Sequence, residues 1–259
     1  MDTTSATNDD FEPTGLGTIL SVWAHPDDET YLAAAVMAAA SDNGQRVVCV
    51  TATAGERGTD DPVTWPPDRL GQVRAWEAAA AMAVLGVREH HLLGLPDGAL
   101  ERDDEWAIYR IGALIDSVSP DTILTFGVDG ITFHSDHIAV HHWVTEAWER
   151  RGRPGRLLYA TASTDYLARH RDLFEEWGIY MTDERPTGVP ADELAVHIRL
   201  DEMMLDRKLT ALRAMTTQTS GVMAAVDPDA YAAHAAEESF VDARATVTRV
   251  PTMAASSRA

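Results

Sequence analysis

The sequence predicts a single α/β domain in which helices cover both faces of a mostly parallel β-sheet. Three observations support this prediction: strand-like and helical segments alternate, hydrophobic residues make up 45% of the 259 residues, and no repeat or linker divides the chain. Such alternation builds βαβ units with parallel strands and right-handed crossovers. The hydrophobic fraction fills a core, which excludes bulk disorder. We expect a flexible lead at residues 1–16 and one domain over residues 17–259.

Short apolar runs predict the strands, and the second run is also rich in β-branched residues. The predicted strands are 18–24, 45–53, 91–93, 122–126, 157–162 and 194–200. The predicted helices are 28–43, 68–85, 105–118, 136–151, 165–177, 201–216 and 231–238. Gly44 and Gly86 are placed to end the first two helices. Past Ser163 the alternation weakens, and residues 221–229 are predicted to form a loop.

Two glycine-bearing loops follow strands of this pattern. Residues 54–67 contain Gly55, Gly58 and several prolines, which excludes a helix or a strand there. This loop is long for a connection between packed elements, and long ordered loops are often functional. The second loop, 127–135, leads into the next helix. Ligands bind beyond the carboxyl ends of the strands in an open parallel sheet, so these loops mark the candidate site.

The charge and cysteine content narrow the classes of function. Asp and Glu total 41 against 21 Lys and Arg, a net charge of −20, which argues against a nucleic-acid or membrane-surface role. Cys49 is the only cysteine, which excludes an internal disulfide and a multi-cysteine metal site. It lies in an apolar run and is expected to be a small buried hydrophobe. Without a visible secretory signal or an apolar stretch long enough to span a bilayer, we expect a cytoplasmic protein without membrane insertion.

The first group of reactive side chains follows the first predicted strand, in Ala24–Glu29 (AHPDDE). His25 offers an imidazole, and Asp28, three residues later at a helix start, can turn its carboxylate towards the same point. Three consecutive acids repel one another unless a cation lies beside them. Helix capping explains the acids but not the adjacent histidine. The segment therefore predicts part of a divalent-metal site.

The second group, His134–His137 (HSDH), follows the strand at 122–126 and its glycine loop. One of its histidines, added to His25 and Asp28, completes a set of two histidines and one carboxylate. Catalytic zinc typically has three such ligands and an open position for water, whose pKa it lowers to about 7. Asp27 is the candidate base for this water, and the remaining histidine is a candidate donor to the oxyanion. The set is typical of metal-assisted hydrolysis of an acyl bond.

Other ligand sets stay open at this level. His137 and His141 lie four residues apart and would share one helix face, as paired zinc histidines do. Packing or surface roles are the simpler interpretation of His141 and His142, and His90 and His91 are expected to be structural. Two histidines and a carboxylate also suit non-haem iron oxygenases, but the βαβ pattern does not favour that class.

At these residues the chain resembles the PIG-L/LmbE-like family of metal-dependent N-acyl deacetylases. The most specific match is AHPDDE at Ala24–Glu29, and His134–His137 resembles the family's HxDH motif. Further matches follow in the family's order: 53–58 (TAGERG), 74–77 (RAWE) with 85–87, 93–98 (LGLPDG), and a late helix with Lys208, 211–212 and Gln218. The resemblance covers most of the chain, roughly residues 18–220, and combines several motifs.

The resemblance implies a Rossmann-like fold with a zinc ion. The implied zinc ligands are His25, Asp28 and His137. Asp27 is implied to be the general base, and His134 the protonated group that polarises the carbonyl. Asp136 would orient His134 and raise its pKa, which favours the imidazolium.

Further residues are assigned by the same resemblance. Asp97 is expected to reach sugar hydroxyls, and Arg57 is a candidate substrate contact with a solvated loop arginine as the equal alternative. Glu56 and Arg74 are expected to form a structural ion pair or to contact substrate. The bulky lead Ile131–Phe133 departs from the smaller, glycine-rich lead expected before the HxDH motif, and Phe133 is expected to narrow the pocket.

The sequence therefore predicts a zinc-dependent hydrolase, with Fe²⁺ as the alternative metal, that removes an N-acyl group, acetyl first, from an amino sugar or its conjugate. Its partner is a small-molecule glycoconjugate, and a homo-oligomer is left open, as is the role of the segment after Gly221. One alternative is a metal-dependent sugar-binding module without turnover. Another is a Rossmann-like dehydrogenase, which needs a glycine-rich phosphate loop where this chain has residues 25–28 (HPDD).

Overall fold

The computed structural model describes residues 13–247, and residues 1–12 of the lead predicted at 1–16 lie outside this part. The strands are β1 (Ile19–Trp23), β2 (Val47–Thr53), β3 (Glu89–Leu95), β4 (Thr122–Phe126), β5 (Arg156–Thr161), β6 (Val196–Arg199) and β7 (Glu237–Asp242). The helices are α1 (Asp28–Asp42), α2 (Pro67–Leu85), α3 (Glu105–Val118), α4 (Ser135–Arg150), α5 (Thr164–Trp177), α6 (Glu202–Ala214), α7 (Thr216–Ala225), α8 (Pro228–Ala235) and α9 (Ala243–Val247). Within the described residues, none of these helices combines the length and apolar character needed to cross a bilayer.

The seven strands found among residues 13–247 belong to one sheet in the order β3-β2-β1-β4-β5-β7-β6. Strands β1 to β5 pair in parallel, while β7 pairs antiparallel with both β5 and β6. The predicted α/β fold with a mostly parallel sheet is thus confirmed. The chain adds β2 and β3 on one side of β1 and then returns to add β4 on the other. The strand order therefore reverses between β1 and β4, and open α/β sheets bind ligands at such a switch point.

The central strands are buried along their whole length, in agreement with their near-continuous apolar sequences. Helices α1, α2 and α6 pack on one another, and α3 packs on α4, so the sheet lies between helical layers. Cys49 of β2 is fully buried, as predicted. Trp23 and Phe126 meet edge to face at 4.9 Å between ring centroids, which packs the carboxyl ends of β1 and β4 together.

A buried ion pair ties the C-terminal strand to α1. Lys208 Nζ of α6 donates to Glu238 Oε1 of β7 at 2.9 Å and to the carbonyl of Tyr31 at 2.7 Å, and both charged side chains are 0% exposed. The Glu238 carboxylate also accepts the backbone N–H groups of Ala35 and Val36 at 2.9 and 3.1 Å. Both charges are hydrogen-bonded, as burial of an ion pair requires, and α1 is held by two later elements of the chain.

The structure differs from the sequence prediction at the start of the described region and after residue 215. Residues 13–16 form a 3₁₀ helix and Leu16 is 3% exposed, so the flexible lead does not extend to Leu16. Helix α7 occupies the first part of the predicted loop 221–229, and β7 begins inside the predicted helix 231–238. Strand β7 (EESFVD) was not predicted, because its two glutamates suggest an exposed segment. Their charges are neutralised by residues of distant elements, which the local sequence does not show.

Candidate metal centre

Two loops at the carboxyl ends of β1 and β4 bring the predicted site residues together. The first carries His25 and leads into α1, which begins at Asp28. The second ends at His134, which caps the N-terminus of α4, and the first turn of α4 contains Asp136 and His137. Because β1 and β4 are neighbours in the sheet, residues separated by 112 positions face one another.

His25 Nδ1, His137 Nε2 and the carboxylate of Asp28 form a compact triangle, in which the two ring nitrogens approach different oxygens of Asp28. His25 Nδ1 lies 3.2 Å from His137 Nε2 and 3.5 Å from Asp28 Oδ2, and His137 Nε2 lies 3.3 Å from Asp28 Oδ1. Atoms bound to a tetrahedral zinc at about 2.1 Å lie roughly 3.4 Å from one another. The separations between the two histidines and the Asp28 carboxylate are close to this value, and the donor set fits such an ion.

The hydrogen bond behind His137 determines which of its nitrogens faces the triangle. His137 Nδ1 lies 2.8 Å from the carbonyl of Gly130, to which it must donate, so Nε2 presents a lone pair. Burial lowers the pKa of His137 to about 4 and outweighs the opposing attraction of Asp28, so the ring is neutral. A neutral imidazole and a carboxylate facing one another are both electron-pair donors, and a cation stabilises them.

Two carboxylates hold His25 from its other side. His25 Nε2 lies 3.2 Å from Asp97 Oδ1 and 3.3 Å from Asp136 Oδ2, so this nitrogen carries hydrogen and Nδ1 faces the triangle. Burial opposes a charge on His25, but hydrogen bonds with Asp136, Asp28 and Asp97 outweigh it and raise its pKa well above the ordinary value. The surroundings favour positive charge at this point. Metal-binding histidines are commonly oriented by carboxylates in this way.

The structure corrects the predicted role of Asp136. Its fully buried carboxylate accepts the backbone N–H groups of Gly98 and Leu100 at 2.8 and 3.2 Å and contacts His25, not His134. His134 Nδ1 instead accepts the backbone N–H of Asp136 at 3.1 Å, as a helix cap. The first turn of α4 thus directs Asp136 towards the loop after β3, where it orients the ring of His25.

His134 lies beside the triangle. Its ring centroid is 4.8 Å from those of both His25 and His137. Burial and the charge of His25 lower the pKa of His134 and outweigh the attraction of Asp136, so the prediction of a raised pKa is wrong. Because Nδ1 accepts a hydrogen bond, the neutral ring carries its hydrogen on Nε2. His134 therefore remains a hydrogen-bond donor without being an imidazolium.

Asp27 precedes α1 in a strained backbone conformation. Its φ of 113° lies in the region that favours glycine, and its side chain makes no capping hydrogen bond. Strain of this kind costs roughly 1–3 kcal/mol and is often retained at functional sites. Burial and the charges of Asp28 and Glu29 raise the pKa of Asp27 well above its ordinary value. Such a carboxylate is suited to accept and return a proton.

Asp97 joins the loops after β2 and β3. Its Oδ2 accepts the backbone N–H of Arg57 at 2.7 Å, and its own N–H donates to Glu56 Oε1 at 2.8 Å. Because Oδ1 contacts His25, both carboxylate oxygens have protein partners, an arrangement that supports the metal donor and does not favour the predicted contact with sugar hydroxyls. Arg57 is exposed beside this junction.

Arg74 fastens the long loop after β2. It is 6% exposed and donates to the carbonyls of Gly55 and Gly58, not to Glu56. A Cβ at either glycine would lie within 2.6 Å of the guanidinium and would displace Arg74 from the loop, and Gly55 also has a positive φ of 63° that favours glycine. Arg74 is therefore a structural residue, although its partners are loop carbonyls and not the predicted carboxylate.

The remaining histidines lie apart from the triangle. His141 Nδ1 donates to the carbonyl of Phe126 at 2.9 Å, which fastens α4 to β4. His142 Nε2 lies 3.4 Å from Asp103 Oδ1 at the surface. Their predicted packing and surface roles are confirmed. His90 has the structural role predicted for it, with Nε2 at 2.9 Å from the hydroxyl of Thr51.

A cavity of about 300 Å³ adjoins the metal centre and was not indicated by the motifs. Its lining includes the donors Asp28 and His137. Its ring-bearing residues are Tyr31, Tyr166, Phe174, Trp177, Tyr180 and His234. The one available sequence signal was the concentration of aromatic residues between 166 and 180. Of the unusual lead before His134, Ile131 and Thr132 line the cavity, whereas Phe133, predicted to narrow it, does not.

Sequence comparisons identify relatives of this chain. The family described as PIG-L, GlcNAc-PI de-N-acetylase, matches residues 20–148, which contain the donor triangle. A curated relative from Saccharomonospora viridis is named 1D-myo-inositol 2-acetamido-2-deoxy-alpha-D-glucopyranoside deacetylase. It is 31% identical over 243 residues, which cover 83% of this chain and 88% of the relative.

Solved structures share the fold at low sequence identity. The N,N'-diacetylchitobiose deacetylase from Pyrococcus horikoshii matches with a TM-score of 0.64 and 17% identity, over 93% of this chain and 89% of that chain. The 4-carboxy-2-hydroxymuconate hydratase GalB from Pseudomonas putida KT2440 matches with a TM-score of 0.55 and 17% identity, over 80% and 84%. The fold therefore carries more than one reaction, and function has to be argued from the site.

Proposed function

Since this chain belongs to the PIG-L family of GlcNAc-PI de-N-acetylases, we propose that it hydrolyses the N-acyl amide of an amino-sugar conjugate at a zinc centre. The names of the S. viridis relative and of the P. horikoshii structure both describe deacetylation of an acetylated amino sugar. The proposed substrate class is accordingly an N-acylated amino sugar joined to a second group. The proposed zinc ligands are His25, Asp28 and His137.

The observation that carries this proposal is the donor triangle beside an unpaired, strained Asp27. Two imidazole nitrogens and a carboxylate are the donor types of catalytic zinc sites. Fe²⁺ is the alternative, because two histidines and a carboxylate also bind ferrous iron. A divalent ion bound there would make hydroxide available at neutral pH and polarise the amide carbonyl.

Asp27 is the proposed general base. Its backbone at the start of α1 places it next to Asp28, and its carboxylate makes no capping bond that would occupy it. The raised pKa allows it to hold the proton that it takes from the attacking water. The same group then returns this proton to the leaving amine nitrogen, which needs it to depart as a neutral amine.

His134 is the proposed hydrogen-bond donor to the carbonyl oxygen. Its Nδ1 is occupied by the backbone N–H of Asp136, so Nε2–H is the donor and the ring need not be charged. A fixed donor aimed at the oxygen on which negative charge develops stabilises the transition state. Asp97 and Asp136 act indirectly, because they orient His25.

The two alternative functions differ from this proposal in testable ways. A Rossmann-like dehydrogenase would place the pyrophosphate of its cofactor after β1, where Asp27, Asp28 and Glu29 would repel it. A sugar-binding module would bind metal and amino sugar without releasing a free amine. Amine release from a panel of N-acetylglucosaminides, measured together with metal content, separates these possibilities from hydrolysis.

The most informative experiment applies the same substitution to two neighbouring residues. Asp27→Asn should keep zinc and lose amine release by about 10²–10⁴-fold, the contribution of a general base. Asp28→Asn should lose zinc as well as activity. Asparagine tolerates positive φ better than most residues, so Asp27→Asn should unfold at no lower temperature than the parent. Full activity of metal-loaded Asp27→Asn would overturn the assignment of the base.

A further inference from the structure

The cavity beside the metal centre has a chemical character that the proposed function leaves unexplained. It is about 300 Å³, at the small end of ligand pockets. Its walls come from α1, the loop before α4, the end of β5, α5 and the segment after it, α7, α8 and β7. Two donors of the triangle, Asp28 and His137, belong to the lining, whereas Asp27 does not. The cavity is therefore continuous with the metal centre but not with the proposed base.

The walls are mainly apolar and aromatic. Aliphatic residues of the lining include Leu32, Leu167, Ile179 and Val222, in addition to the aromatic rings already described. Apolar walls with few polar groups favour an apolar ligand, because burial of apolar surface is favourable and burial of unpaired hydroxyls is costly.

Two carboxylates of the wall are paired with charged residues of the protein, and a third, Asp129, accepts the backbone N–H of Ile131 at 3.0 Å through Oδ1. Glu238 pairs with Lys208 and accepts two backbone N–H groups. Glu237 pairs with Arg169 and His197. These carboxylates are therefore engaged and do not offer a sugar ring the acceptors that its hydroxyls need.

The polar atoms of three ring-bearing wall residues are also hydrogen-bonded within the protein. The hydroxyl of Tyr166 lies 2.7 Å from His234 Nδ1, and the hydroxyl of Tyr31 lies 2.7 Å from that of Tyr231. With these polar ends in mutual contact, the ring faces contribute apolar surface. The cavity is thus poorly suited to a sugar and well suited to a hydrocarbon.

The segment after α5, which forms one wall of the cavity, is held by hydrogen bonds and an ion pair. The backbone N–H of Met181 donates to the carbonyl of Thr132 at 2.9 Å, which joins the segment after α5 to the loop before α4. Arg185 pairs with Glu175 through two hydrogen bonds and lies 4.6 Å from the ring centroid of Tyr180. A preformed cavity binds its ligand without a large ordering cost.

We propose, on the premise of the proposed function, that this cavity binds the acyl chain of the substrate and that this chain is of medium length. An amide carbonyl at the triangle has two substituents, the acyl chain and the sugar nitrogen. The nitrogen must lie near Asp27 to receive its proton, and Asp27 is outside the cavity. The acyl substituent is therefore the one that enters it.

The volume sets the length of the chain. A water-sized group occupies about 30 Å³, and a methyl or methylene group is of similar size. The methyl group of an acetyl amide would fill about a tenth of the cavity. An octanoyl group would fill most of the cavity. The protein is therefore expected to hydrolyse octanoyl amides better than acetyl amides.

Two matched substrate series test the proposal with the zinc-loaded full chain. The first is N-acylglucosamine with acyl chains from two to ten carbons, and the second is N-acetylglucosamine with alkyl glycosides of the same lengths. We expect kcat/KM to rise about fourfold per methylene in the first series, up to roughly eight carbons. A flat first series, or a rise only in the second, would overturn the proposal.

A pair of identical substitutions links the effect to the cavity. Val222→Phe adds a ring at the α7 wall, and Val63→Phe adds the same ring at a side chain that is 90% exposed outside the cavity. Val222→Phe should lower the ratio of octanoyl to acetyl kcat/KM at least tenfold, and Val63→Phe should leave this ratio unchanged. Equal ratios in the two folded variants would contradict the assignment.

Binding of free carboxylates separates failure of this proposal from failure of the proposed function. Octanoate should bind the zinc-loaded protein at least tenfold more tightly than acetate in calorimetry, and Val222→Phe should remove this preference. If no amide of either series is hydrolysed, the proposed function fails while the octanoate preference still supports the cavity assignment. Equal affinity for octanoate and acetate would overturn it.

Discussion

His25 Nδ1 and His137 Nε2 lie 3.2 Å apart, although 112 positions separate the two residues. They meet because β1 and β4 are adjacent parallel strands and each is followed by a loop at the same edge of the sheet. The two ring nitrogens and the Asp28 carboxylate converge on one point, where positive charge is favoured. Metal content is therefore the most direct measure of this relationship.

We expect His137→Ala to bind less than one zinc per chain after dialysis, because the triangle loses a donor. His141→Ala removes an imidazole one turn later on α4 that contacts the Phe126 carbonyl and not the triangle, so it should retain full stoichiometry. Elemental analysis of both variants gives the answer. Stoichiometric zinc in His137→Ala would shift the third ligand to another histidine, such as His134.

Asp136→Asn should weaken zinc binding by about 10–100-fold, the usual effect of losing a carboxylate that orients a metal-bound histidine. Because Gly98 and Leu100 donate to different oxygens of Asp136, the amide can keep only one of these two hydrogen bonds, and thermal unfolding of the variant checks that the fold survives. Competition with a chelator of known affinity measures the change. Unaltered zinc affinity together with a displaced pH profile of activity would instead place the effect of Asp136 on His134.

His234 makes stability depend on pH. Burial lowers its pKa to about 3, whereas an unfolded histidine titrates near 6.5, so between these values the unfolded state binds a proton that the folded state does not. The contribution of neutral His234 to the free energy of unfolding is complete above about pH 6.5. It decreases as the pH is lowered from about 6.5 towards about 3. Urea unfolding of His234→Phe should therefore show a smaller loss of stability between pH 6.5 and 4 than the parent. Parallel curves for the two proteins would contradict this.

Lys208→Met should lower the free energy of unfolding by about 3–5 kcal/mol, because Glu238 is left as a buried charge without its counterion. The comparison is Arg46→Met, which removes the cation from the partly exposed pair with Glu89; exposed pairs contribute little. Denaturant unfolding of both variants measures the difference. Equal destabilisation would show that Lys208 does not neutralise Glu238.

The parallel part of the fold could be predicted because its signals are local. Strand β4 has the ends predicted from its run of β-branched and apolar residues, 122–126. Strand β7 could not be predicted, since the burial of Glu238 depends on Lys208 thirty positions earlier in the chain. Local sequence patterns indicate whether a side chain faces the core or the solvent. They do not indicate whether a residue far away in the sequence will neutralise a buried charge.

For the candidate site, the sequence predicted which residues come together but not how their side chains are oriented or charged. The donors His25, Asp28 and His137 were implied by the resemblance to the PIG-L/LmbE-like family, and residues that follow strands of a parallel sheet are expected at the same edge of it. The partner of Asp136 and the charge of His134 could not, because ring orientation depends on contacts with the loop after β3. The cavity was also beyond prediction, since its walls combine side chains from many separate elements.

The metal donors all lie within residues 20–148, where the family match ends, while most of the cavity lining lies within residues 160–239. Under the two proposals made above, reactivity and selectivity would be encoded in consecutive stretches of one gene. Exchange of the later stretch between relatives could alter which amide is accepted while the hydrolytic apparatus stays intact, provided that Lys208 and Glu238 are exchanged together so that α1 keeps its support.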